Sequence, residues 1–330
     1  MDSKLLFILL CFIFFVGCVG NNPIPSDADS PAIDTPIVPF SVDRESKIPL
    51  NAVKMLPADD FYPPQLHSDQ WEEPEPLSYP INTRGAEDSP FVMPDGNTIY
   101  VWFTPNNRMD ISEQVQDEVT GIYKFGKQED GSWSDAERIW LVEPGKPHLD
   151  GCGFFQDNKV WICGAREGYT GLHWFTSEFS NGKWSIAEIS DFNPDYEVGE
   201  LHISNDGNEL YYHSPRAGGK GGYDLWMSKK MDGEWQEPTK LEILNTEQTE
   251  GWPYLSQDGS ELWFTRVYMG SPAIYRSIRG TDDEWQEPEL ILSQFAGEPT
   301  LDNDGNIYFT HHFYENGTMI EADIYVAMKK

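Results

Sequence analysis

Residues 221–266 read GGYDLWMSKKMDGEWQEPTKLEILNTEQTEGWPYLSQDGSELWFTR, and this stretch decides the fold. It predicts a strand over 224–230, a turn at Met231-Asp232-Gly233 and a strand opening on Trp235. After a linker, an inner strand (WPYLS) follows, then an Asp258-Gly259 hairpin into LWFTR. That is one four-stranded antiparallel sheet, offset by half a unit.

The same signals recur. Trp133, Trp184, Trp235 and Trp285 stand 50 or 51 residues apart. The hairpin recurs as MPDGNTIYVWF, FQDNKVWICG, SNDGNELYYH, SQDGSELWFT and DNDGNIYFTH, with Asp95, Asp157, Asp206, Asp258 and Asp304 at the turns. Asp-Gly between alternating apolar runs signals a tight hairpin, because type I′ turns need positive φ. Short strands rich in Tyr, Trp, Ile and Val, with evenly spaced turns, predict an all-β chain. Four strands per unit of about 50 residues predict a propeller blade. The last copy ends at Lys330 without a fourth strand, while Trp71 (WEEPEPL) is an unclaimed opening of one. The expectation is a five-bladed β-propeller of four-stranded antiparallel blades. Residues 71–78 close the ring, which leaves no unpaired inner edge.

The pattern GGYDLW…W.EP…NTE..EG.P..S.DG..LWF resembles the WD-like β-propeller repeat of TolB-type, envelope-associated proteins, over residues 71–330. That resemblance implies protein or envelope binding; some members of the family are polysaccharide lyases. A repeat of this kind specifies a fold rather than a function.

The first residues read as export and tether. One Lys (Lys4) precedes an apolar run from Leu5 to Val16, too short to span a bilayer comfortably. The run ends in Phe15-Val16-Gly17-Cys18, which resembles a prokaryotic lipobox with Phe in place of the usual Leu. Residues 1–18 are therefore expected to be a signal peptide with lipidation at Cys18. Residues 19–48, rich in Pro, Asp and Ser, are expected to be a disordered tether. Residues 49–70 carry Leu, Met, Phe and Tyr and are expected to pack along the propeller. The predicted location is the outer face of a prokaryotic membrane, or periplasmic or secreted if Cys18 is unmodified. Membrane contact is through the lipid alone, and the predicted state is a monomer.

Net charge is −32, and no basic run is present, which argues against nucleic acid as partner. Asn316-Gly317-Thr318 is a glycosylation sequon. Placing a turn at Asp157-Asn158 sets Cys152 opposite Cys163, so an exported chain is expected to carry that disulfide; two reduced core cysteines are the alternative.

Connectivity puts inner-strand starts, second-strand ends and second-to-third loops on one face. That face receives a carboxyl from every unit: Asp88, Asp150, Glu200, Glu250 and Glu298. Arg166, Arg216, Arg266, His213, His311 and His312 follow on or just after the second strands, with Trp252, Tyr169, Tyr268 and Phe313 nearby. Alternation allows only one of His311 and His312 to line a channel. The insertion 105–120 is expected to overhang the same mouth. Such a mouth suits a protein or carbohydrate ligand, and a carboxyl ring can hold a divalent cation such as calcium. The chain also faintly resembles five-bladed glycosidases of the family 43 type. That resemblance implies Asp88 as base, Asp150 as pKa modulator and Glu200 as acid. Equally, an acidic residue before each inner strand suits a purely structural role in repeats of this kind. Two functions are thus expected: a surface-tethered binding propeller, or a carbohydrate-active enzyme (glycosidase or polysaccharide lyase).

Overall fold

The computed structural model describes residues 43–143, 145–169 and 171–330. The expectations for the export signal, Cys18 and nearly all of the tether fall outside the described residues.

The regular structure of the described chain is almost wholly β-strand, antiparallel apart from a parallel contact between Ala322 and Ala86. Successive meanders begin with Ala86–Val92, Thr98–Thr104, Gly121–Gly126 and Glu137–Arg138. The next comprises His148–Gln156, Lys159–Arg166 and His173–Ser180, with short outer pieces Lys183–Trp184 and Glu188–Ile189. Leu201–Ile203, Glu209–Ser214 and Asp224–Met231 follow, edged by Glu234–Trp235 and Thr239–Lys240. Then come Glu250–Leu255, Glu261–Tyr268, Ser271–Ile278 and Glu289–Ser293, and finally Ala296–Leu301, Ile307–Glu315 and Thr318–Ala327.

Two N-terminal pieces add to outer edges. Gln65–Leu66 pairs with Glu289–Ser293, and Glu75–Pro76 pairs with Thr318–Ala327, where Glu75 faces Val326. Trp71 forms a bridge with Lys329. Its indole donates to Gly305 O at 2.8 Å and meets Trp263 edge-on at 5.6 Å. Burying such rings, each worth about 1.5–3 kcal/mol, drives one sheet against the next. Met55 and Leu66 pack on this aromatic core, while Leu50 and Phe61 are 98% and 82% exposed.

The Asp-Gly hairpins differ from the two-residue turns expected. Ser256 pairs with Glu261, Gly259 N donates to Ser256 O, and Asp258 Oδ1 accepts from Ser260 N at 3.0 Å. This is a four-residue loop built on an i→i+3 turn, with only Gly259 at positive φ (73°). The Asp side chain, by capping the loop, replaces the backbone conformation that a type I′ turn requires.

Candidate functional site

The first strands of the meanders converge on one small void of about 40 Å³. Ser89, Cys152, Glu200, Trp252 and Glu298 all border it. In four of these strands the pairing register shifts at this point, and in three of them Ser89, Trp252 and Glu298 sit at φ of 47°, 53° and 58°. Such angles are uncommon for residues with a Cβ and concentrate at functional positions. The bulges turn these side chains inward. Ser89 Oγ donates to Glu298 Oε2 at 2.6 Å and lies 2.8 Å from Cys152 Sγ. The Cys152 thiol and the Trp252 indole lie beside the Glu200 carboxyl.

Above the void opens a cleft of about 340 Å³. Asp88, Glu200, His213 and His312 line it together with Trp102, Leu149, Leu172 and Tyr314. Asn107, Arg108, Ile111 and Gln114 of the 105–120 insertion form part of its wall, so that loop borders the mouth as expected. Trp102 Nε1 is buried without a hydrogen-bond partner among the described residues. Gly199 is required beside His213, since a Cβ would lie 1.8 Å from the imidazole.

Electrostatics separates the acids. Burial first, then the nearby Asp88, lifts Glu200 to about 8 against the opposing influence of the Cys152 thiol and the Trp252 indole. Burial, Asp88 and Glu200 push Glu298 well above the usual range. Asp88 is 17% exposed and lies 3.8 Å from His312 Nε2. Burial drives His213 down to about 3, and its Nδ1 accepts from Trp252 N at 3.0 Å. Asp88, Glu298 and His312 each offer one ligand atom within 4.8 Å of the others, which is the arrangement among the described residues able to hold a hard cation.

Several expected site residues stand elsewhere. Asp150 is buried against Arg166, with His148 Nε2 at 3.8 Å; burial raises its pKa, but Arg166, His148 and Arg138 outweigh that and hold it low. Glu250 is clasped by Thr246, whose Oγ1 and N donate at 2.6 and 2.9 Å, and by Arg266 at 3.2 Å. The same clasp holds Glu87, a residue the sequence reading passed over, through Thr83 at 2.6 and 3.0 Å. The shared signal is Asn-Thr five and four residues ahead of the Glu: Asn82-Thr83 and Asn245-Thr246. Asp150, Glu250, Arg166 and Arg266 therefore build the scaffold and leave the cleft. Arg216 turns to Tyr196, Trp226 and Glu237. His311 faces away and pairs with Asp60 at 2.8 Å, so of this adjacent pair it is His312 that lines the cleft. Alternation along Ile307–Glu315 decides this.

The expected disulfide is not formed. Cys152 and Cys163 carry free thiols. Gly153 faces Ile162, but Asp150 faces Gly164, so Gly151 and Cys152 together oppose Cys163 across a bulge. The extra residue turns Cys152 toward Ser89, while Cys163 Sγ lies 3.5 Å from Val198 O.

Comparison with known proteins gives a fold. No family model matches the chain, and no curated protein matches it. A thermostable family-43 glycoside hydrolase is similar at TM-score 0.51 and 14% identity, covering 76% of this chain and 91% of the other. The catalytic domain of the GH62 α-L-arabinofuranosidase of Coprinopsis cinerea has TM-score 0.51 at 9% identity, covering 79% and 97%. A putative TolB from Agrobacterium tumefaciens is also similar, at TM-score 0.40 and 16% identity, covering 71% and 72%. The first two are propellers, and at these identities the likeness concerns the fold alone.

Proposed function

We propose that this chain is a five-bladed, exported, lipid-anchored propeller that binds a carbohydrate in the cleft over Glu200. Ring closure by residues 71–78 is supported by the pairing of Glu75 with Val326 and the Trp71–Lys329 bridge. The anchor on Cys18 and the outer-face location rest on the sequence motif alone. The observation that carries the functional reading is the composition of the cleft. Aromatic and aliphatic walls surround a few converging polar groups, among them Asp88, Glu200 and His312. Sugars present apolar C–H faces and hydroxyls together, and such a pocket satisfies both.

A second reading has its own support. Glu200, at about 8, stays protonated at neutral pH and shares the cleft with the partly exposed Asp88. Acid and base roles follow where environments push two carboxyls apart. Glycoside hydrolysis would use Glu200 as acid and Asp88 as base, while Asp150, engaged by Arg166 and His148, is not among the residues lining the cleft.

Glycan panels read by calorimetry and by released reducing ends test both. Binding without cleavage supports the first reading. Cleavage that falls about 10²–10⁴-fold in Glu200→Gln, with binding kept, replaces it by the second. Absence of any glycan binding overturns both.

A further inference from the structure

We propose that the ligand is an anionic polysaccharide whose uronate carboxylates are held by Arg84 and Arg108, in a groove that continues the cleft. This rests on the carbohydrate reading above and adds the length and charge of the substrate.

The cleft of about 340 Å³ and a neighbouring groove of about 1,030 Å³ share Asn107, Arg108 and Tyr314 on their borders. One ligand can occupy both without leaving the surface. Together they exceed the roughly 300–1,000 Å³ of an ordinary small-molecule site, which suits several linked sugars rather than one. Phe61, 82% exposed, borders the outer groove and offers a flat apolar face for a sugar ring.

Charge identifies the sugar. The chain has 55 acidic and 23 basic residues, so an arginine readily finds a carboxylate. Every other arginine among the described residues is held by a carboxylate or a backbone carbonyl. Arg84 and Arg108 are exposed, their guanidinium groups have no such partner among the described residues, and both border the groove. Asp59, Asp60 and Glu315 border it too; Asp60 is engaged by His311, and among the described residues none of the three forms an ion pair with either arginine. A guanidinium is a planar fork that matches a carboxylate with two parallel hydrogen bonds. Leaving two such forks unneutralised along one groove of an otherwise acidic surface provides for carboxylates arriving with the ligand.

The test uses the full chain in affinity electrophoresis against polygalacturonate, alginate and hyaluronate, each beside its methyl-esterified form, and against neutral arabinan, galactan and xylan. Wild-type protein should be retarded by at least one uronate polymer and about fivefold or more less by its ester. Arg84→Ala and Arg108→Ala should each weaken the acidic interaction about fivefold, with Arg108→Glu losing more. Both side chains are exposed, so melting temperature should not move. Equal retardation by acid and ester, or an unchanged preference in the double variant, overturns the inference while leaving the carbohydrate reading in place. Retention by neutral glycans alone has the same meaning. Retention by none of the polymers overturns both.

Discussion

Ser89 Oγ donates to Glu298 Oε2 across 2.6 Å, joining two residues 209 positions apart. The bond ties the first described meander to the last at the centre of the molecule, where Glu298 is buried beside Asp88 and Glu200. Ser89→Ala leaves that carboxyl without its hydroxyl donor. A buried group robbed of one hydrogen bond costs about 1–3 kcal/mol. Urea unfolding should therefore show a loss in that range, and a change below about 0.5 kcal/mol would contradict the geometry.

Stability should fall as pH rises from about 6.5 to 8. The folded pKa of Glu200, about 8, lies above its ordinary value of 4.5. A group raised in this way stabilises fully below its unfolded pKa and loses that contribution as pH climbs through the folded one. Glu298 acts in the same direction. His202 and His213, lowered from 6.5 to about 3 by burial, do the opposite and weaken the fold only as pH drops below about 6.5. Urea midpoints at pH 6.5 and 8 check the alkaline arm. Wild-type protein should drop between them and Glu200→Gln should drop less. A parallel slope in the variant would remove Glu200 from the account.

Both cleft thiols should be free and slow to react. Burial, then Glu200, pushes Cys152 and Cys163 well above the usual thiol range. Only the thiolate is nucleophilic, so native protein should resist alkylation. After denaturation without reductant, peptides containing Cys152 and Cys163 should each carry one label by mass spectrometry. Recovery of the two peptides joined by a disulfide would show that the bulge at Gly151-Cys152 relaxes.

Trp71→Ala should cost about 3–5 kcal/mol, the usual range for emptying a buried indole site. The ring is 1% exposed, stacks edge-on with Trp263, lies under Lys329 and is flanked by Arg276. Thermal melting measures this. An unchanged transition would mean that the bridge to Lys329 contributes nothing to stability, and the proposed closure would lose its support.

The roles of Glu250 and Glu200 should separate experimentally. Glu250→Gln disturbs the Thr246 and Arg266 clasp and should lower the melting temperature without altering glycan binding. Glu200→Gln should alter the pH profile of binding. Equal effects of the two on ligand affinity would return Glu250 to the site.

Repeat, period and face were legible in the chain because they depend on local signals. Trp at every 50 or 51 residues, Asp-Gly between alternating apolar runs and strand-forming residues between them specify antiparallel meanders from short-range preference alone. Counting carboxyls near each strand start also grouped Asp88 with Glu200, and the two border one cleft. What sequence order could not decide was which carboxyls point into that cleft. A bulge adds one residue and reverses the facing of everything before it. Such shifts lie at Gly151-Cys152, Gly251–Tyr254 and Gly297–Thr300, and the tertiary packing sets them. They moved Cys152 away from Cys163 and turned Glu298 inward. The tertiary structure also chose the partners that distinguish scaffold from site: Arg166 for Asp150, and Thr246 with Arg266 for Glu250, against burial without a cation for Glu200. Those partnerships join residues from different strands or loops. Their energies depend on dielectric and distance in three dimensions, which no one-dimensional pattern encodes.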